Sequence, residues 1–159
     1  MVWMILFFLI AGWPMRPTAT AAQQEETAEL LEVRAALLEQ RYERETGDPR
    51  DQAKIAVDLT KNSYKRLRLA YDAADAQQQQ QAREAFLDAM DRLETSVASA
   101  KHIRTSKDAE VFLRQHGRDL ENLEQRVSFF DRADIEKLLE RAAALRQEIL
   151  YNIMNPEED

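Results

Sequence analysis

The chain contains no cysteine, and that absence removes several classes of chemistry at once. Disulfides, thiolate metal sites, covalent haem attachment and a lipid-bearing N-terminal Cys are all excluded. Glycine and proline are also scarce, at 3 and 4 residues among 159. That scarcity leaves no Gly-rich phosphate loop and no Gly-x-Ser-x-Gly nucleophile elbow. Basic residues are in deficit, 22 Lys and Arg against 29 Asp and Glu, for a net charge of −7. An acidic chain is poorly suited to nucleic acid, whose affinity comes mainly from Lys and Arg on phosphates. Abundant Ala, Leu, Glu, Gln and Arg instead point to helix almost everywhere.

One apolar run stands out. Met1 to Trp13 is almost wholly apolar, Pro14 breaks it, and Thr18-Ala19-Thr20-Ala21-Ala22 follows. About 12 apolar residues ending in small ones read as a secretory signal peptide. As a helix the run covers about 18 Å, short of the roughly 30 Å hydrocarbon layer. The small-x-small pairs Ala19-Thr20-Ala21 and Thr20-Ala21-Ala22 place cleavage after Ala21 or Ala22. No Lys or Arg precedes the apolar core. Either the true start lies upstream, or residues 1–15 are a poorly cleaved anchor, or the segment is simply a hydrophobic N-terminus. The expected organisation is a signal peptide over 1–22, a helical domain over 23–154 and a disordered acidic tail over 155–159. Arg16 is the only charge in the leader, so the mature chain of about 137 residues has a net charge of −8. That length makes one domain with a real core. The location expected is the periplasm or the cell exterior.

Period and punctuation predict five helices. The first, about Gln24 to Thr46, carries Leu30, Leu31, Val33, Leu37, Leu38 and Tyr42 as its apolar stripe. Gly47 suits a left-handed residue after its end. Asp48 is a cap and Pro49 a first helical residue for the second helix, which runs to about Ala74. Its inner face is Ile55, Val57, Leu59, Thr60, Tyr64, Leu67, Tyr71 and Ala74. Asp75 with Gln78 resembles a capping box, yet without Gly or Pro helices two and three are equally readable as one bent rod. The third helix, Ala76 to Ile103, presents Ala82, Phe86, Ala89 or Met90, Leu93, Val97 and Ala100. Ser106 is expected to cap the fourth, whose heptad is Leu113, His116, Leu120, Leu123, Val127 and Phe130. The fifth should start after Asp131 and bury Ile135, Leu138, Leu139, Ala142, Leu145, Ile149 and Ile153. Helices this long with short connections make a single all-α, up-down antiparallel bundle.

Few residues suggest chemistry. Neither His102 nor His116 has an acidic residue three positions before it, so the Glu-x-x-His pairs of di-iron bundles are missing. His102, beside Lys101, Arg104 and Lys107, reads as a cationic side chain at a helix C-terminus. His116 on the fourth helix's inner face reads as a half-buried imidazole, with metal or haem ligation as the alternative. Glu43, Glu45 and Asp48 read as solvated surface. Lys61, Lys65, Arg66 and Arg68 form the densest basic stretch, with Lys61, Lys65 and Arg68 on one stripe. The stretch would hold an acidic partner or lipid head groups, or else face Glu29, Glu32 and Glu39 of the first helix. The run Gln77 to Gln81 reads as solubilising surface. Phe129-Phe130 reads as one core residue plus a hydrophobic staple, or as a recognition point together with Tyr151.

Two resemblances add to this. Ala70-Tyr71-Asp72-Ala73-Ala74-Asp75 and Ala82-Arg83-Glu84-Ala85-Phe86-Leu87, within Ala53 to Leu93, resemble one tetratricopeptide-type helix pair. The usual Gly is missing and no second copy follows, so no solenoid is implied. Asp108 to Met154, with Leu120-Glu121-Asn122-Leu123, Phe130 to Lys137 and Ile149 to Met154, resembles uncharacterised small exported helical proteins of bacteria, which implies no activity.

The expected function is therefore that of an exported, non-enzymatic helical protein acting through protein–protein contacts. The alternatives are a metal- or ligand-binding bundle using His116 and a periplasmic chaperone-like client binder. No catalytic, cofactor-binding or metal-binding residue is assigned, and no cofactor is implied. The partner is an unspecified protein, not nucleic acid, and the membrane enters only through an uncleaved N-terminal segment.

Overall fold

The computed structural model describes residues 21–155, and these form five helices with no strand among them: α1 (Ala21–Arg44), α2 (Pro49–Ala73), α3 (Ala76–Ala100), α4 (Ile103–Glu124) and α5 (Phe129–Met154). The apolar leader, the cleavage position after Ala21 or Ala22 viewed from its upstream side, and the acidic end lie outside the described residues. Cleavage there would remove at most the first two residues of α1.

Connections of two to four residues force successive helices to run antiparallel. The hairpins α2–α3 and α4–α5 pack on each other, with α2 against α4 and α3 against α5. One main core results, built around Leu67, Phe86, Met90 and Leu93 from the first hairpin and Leu120, Leu123, Ile135, Leu138 and Leu145 from the second. Small residues let α2 approach α3 closely. The buried Thr60 hydroxyl donates to Ala56 O at 2.8 Å, with Ala89 O of α3 3.2 Å away. This is the four-helix unit.

α1 is an addition to that unit and touches chiefly α2. Ala35 and Leu38 are buried there, and Leu38 joins Ile55, Leu59 and Ala89 in a separate small cluster. Tyr42 hydroxyl lies 2.8 Å from Ser96 Oγ on α3. Asn62 Nδ2 donates to Leu31 O at 2.9 Å, and Arg66 pairs with Glu32.

Local chemistry explains where helices start and stop, and corrects several expectations. Asp48 caps α2, accepting from Arg50 N at 2.8 Å, and Pro49 follows as expected. Helices two and three are separate: Ala74 is left-handed at φ 55°, and Asp75 caps α3 by accepting from Gln77 N and Gln78 N. The left-handed residue predicted at Gly47 occurs instead at Ala74 and Lys101, and neither Gly47 nor Gly117 has positive φ. α3 stops at Ala100 rather than Ile103, and His102, not Ser106, caps α4. α5 starts at Phe129 with Ser128 as its cap residue, so Asp131 sits in the first turn and accepts from Ser128 Oγ at 2.7 Å. Gln79, expected on the surface, is buried at the start of α3.

Candidate functional site

His116 is the residue that sequence reasoning placed nearest to ligand chemistry. Its ring is half-buried between Phe112, at 4.1 Å between centroids, and Tyr64, at 5.0 Å in an edge-on arrangement. Nδ1 lies 3.2 Å from Phe112 O, one turn earlier. With Nδ1–H donating there, the ring's polar need is half met by its own helix. Burial pushes the His116 pKa below its ordinary value, and the positive charges of Lys61 and Lys65 push the same way. The Phe112 carbonyl and Asp119 oppose them. The outcome is a neutral imidazole in an aromatic niche. Lys61 Nζ also stands 5.8 Å from the Phe112 ring centre, where its charge meets the π face. A cation arriving at His116 would meet two lysines. Among the described residues no group of three His, Cys, Asp or Glu stands together to hold a metal ion.

His102 departs from its expected role. It caps the start of α4 instead of ending α3, with Nδ1 accepting from Thr105 N at 3.4 Å and 3.2 Å from Thr105 Oγ1. Only the helix boundary differs from the reading, yet it reverses the dipole end that the ring meets.

The charged residues pair mainly across helices. Arg141 of α5 binds Asp91, at 2.7 Å, and Glu94 of α3. Glu148 joins this cluster, and desolvation together with a hydrogen bond to Glu94 raises its pKa. Glu110, buried on α4, accepts from Arg146 Nε at 2.7 Å. Arg83 of α3 donates to Tyr71 hydroxyl at 2.9 Å and meets Asp134 at 3.3 Å. Of the basic stretch on α2, Arg66 is the member that faces α1, through Glu32. Lys61 pairs within its helix with Asp58, while Lys65 and Arg68 are exposed. These pairs orient helices and leave little charge aimed at a common point.

Two shallow clefts open to solvent. One of about 290 Å³ separates α1 from α2 and α3, between Glu29, Glu32, Arg66 and Gln78. The other, of about 340 Å³, lies between α2 and α4 beside Lys61, Asp108 and Phe112. Thr105 also lines the second, but its hydroxyl is engaged in the cap of α4, 3.2 Å from His102 Nδ1.

The exposed apolar side chains are what the packing leaves unexplained. Phe129 and Phe130 are 79% and 89% exposed, in an edge-on pair with centroids 6.0 Å apart. Neither is a core residue or a staple, which overturns that expectation. They are the first two residues of α5. Tyr151, suggested as a further recognition residue, is also exposed. Sequence reasoning missed a second patch: Leu30, Val33 and Leu37 of α1 are 63%, 55% and 57% exposed. The sign was present in the sequence, because Leu30 and Leu31 are 100° apart on a helix and cannot share a narrow face.

The fold thus defines the protein as an all-α up-down bundle with exposed apolar points at one helix start and along one outer helix. Compared with family models, curated proteins and solved structures, the chain matches none.

Proposed function

We propose that this is an exported, non-enzymatic helical-bundle protein that works by holding another protein, with Phe129 and Phe130 as the principal contact. The observation that carries this reading is the exposure of both rings at the start of α5. Burying a Phe side chain is worth about 1.5–3 kcal/mol, and here the fold takes little of that from two of its six phenylalanines. Exposed aromatic anchors are the side chains that most often dominate protein interfaces. The polar groups nearby already serve the fold: Ser128 and Asp131 bond each other, and Arg126 approaches Asp72 at 4.0 Å. The small-residue boundary at Ala21 and Ala22 supports export.

The test is site-specific photo-crosslinking in cells, with a photoreactive phenylalanine at Phe130 and, as control, at the exposed polar Gln147. A discrete adduct from position 130 that is absent from 147 supports the reading. It must also disappear when the neighbouring Phe129→Ser is introduced. Identical patterns at both positions would refute it. Phe130→Ser should cost no more than about 1 kcal/mol, the loss of its edge-on contact with Phe129.

A further inference from the structure

We infer that the outer face of α1 is a self-association surface, on which α1 of a second copy lies parallel. The proposal rests on the reading of this protein as one that acts by protein contact, and it names one such partner as the chain itself.

α1 is apolar on two faces. Leu31, Ala35, Leu38 and Tyr42 point toward α2 and α3, while Leu30, Val33 and Leu37 point away from them. At 100° per residue the two stripes are centred about 140° apart, so the outer one lies nearly opposite the bundle. Its steps of three and four residues are those of a coiled-coil seam.

The charges beside the stripe select the partner and its direction. One edge carries Glu29 and the other carries Arg34 and Arg41, all exposed. No ion pair among the described residues engages any of the three. If two copies of α1 run parallel about a two-fold axis, the acidic edge of each faces the basic edge of the other. Glu29 then meets Arg34 of the second copy, five residues on, which is the spacing of flanking ion pairs in parallel coiled coils. If they run antiparallel, Arg34 and Arg41 face their own kind. A two-fold contact uses the same patch on both copies and therefore closes as a dimer. Three apolar layers make a small interface, so the dimer should be weak, with a dissociation constant on the order of 10–100 μM.

The absence of cysteine makes the test clean. Leu30→Cys, Leu37→Cys and, as control, Tyr151→Cys are each introduced alone into the full chain and oxidised mildly. Parallel pairing sets each residue opposite its own copy, so Leu30→Cys and Leu37→Cys should each give a covalent dimer. Tyr151→Cys, equally exposed on α5, should not. Antiparallel pairing would cross-link residue 30 only to residue 37, in a mixture of the two variants, and would overturn the parallel assignment. Sedimentation of the chain without added Cys should show monomer and dimer in exchange. Glu29→Arg should weaken the dimer about fivefold, and adding Arg34→Glu should restore it. A monomer at several hundred micromolar, or an assembly unmoved by Leu30→Glu, overturns the proposal. If that happens while the adduct at position 130 persists, the protein-contact reading stands and only self-association is lost. Should both fail, both readings fall.

Discussion

Leu123 and Leu37 are both leucines in helical apolar stripes, yet the fold gives them opposite weights. Leu123 on α4 is 1% exposed within the main core, whereas Leu37 on α1 is mostly in solvent. Leu123→Ala should cost about 3–5 kcal/mol, the transfer of three carbons plus the cavity left among rigid neighbours. Leu37→Ala loses only the part of the side chain that rests on its own helix, and Ala is the better helix former. Its cost should stay below about 0.5 kcal/mol. A domain with about 135 described residues is worth about 7–20 kcal/mol in all, so the first change removes a large share. At about 2 kcal/mol per molar of urea it should lower the midpoint by about 2 M. Circular dichroism at micromolar protein is the right assay. Both tryptophans, Trp3 and Trp13, lie before α1, whereas circular dichroism reads the helices themselves. Equal losses from the two variants at micromolar concentration would refute the assignment of α1's outer face. A cost at Leu37 that grows with concentration would instead be linkage to the dimer.

The left-handed Ala74 strains the turn between α2 and α3, so Ala74→Gly should stabilise by about 0.5–1 kcal/mol after the entropy of Gly is subtracted, read as a raised thermal midpoint. Tyr42→Phe removes the bond to Ser96 that helps fix α1, and should cost about 1 kcal/mol in urea titration. Arg146→Ala leaves the buried Glu110 carboxylate without its 2.7 Å donor and should cost about 1–2 kcal/mol, the pair being part-exposed. His116 has a lowered folded pKa, so the unfolded chain takes up its proton first; stability should fall as pH drops below about 6.5, and His116→Gln should flatten that slope in pH-dependent melts.

The helical class and most of the core were legible because α2, α3 and α5 are packed on faces broad enough to match the sequence period. Leu67, Phe86, Leu93, Ile135, Leu138 and Leu145 all lie where spacing put them. The main core is shared by both hairpins. Helix ends were less legible, since a cap depends on backbone turns that several nearby polar residues are equally able to serve. His102, Ser106 and Lys107 illustrate this: shifting the boundary by a few residues made a helix end into a helix start. The α4 heptad likewise appeared to continue through Phe130, but α4 ends at Glu124 and the chain turns, carrying both phenylalanines into solvent. α1 was misread for a different reason. A helix at the rim of a bundle meets one groove, and that groove has room for only one of the two apolar stripes that the sequence supplies.

The two exposed apolar features are related by topology. Arg126, just after α4, reaches Asp72 at the end of α2, so the α2–α3 and α4–α5 turns share one end of the bundle. The early part of α1 borders the same cleft as Gln78 and Ala82 at the beginning of α3, which places the start of α1 at that end as well. Phe129 and Phe130 therefore sit at the end where α1 begins, while Leu30, Val33 and Leu37 run up the side from it. Two copies paired in parallel along α1 would present both phenylalanine pairs in one direction, toward one partner surface. Antiparallel copies would present them at opposite ends. Doubling a contact on one face raises the effective concentration of the second, whereas splitting it between two ends does not. The parallel charge pattern beside α1 and the position of the aromatic pair thus favour the same bivalent arrangement, though they were read from different helices.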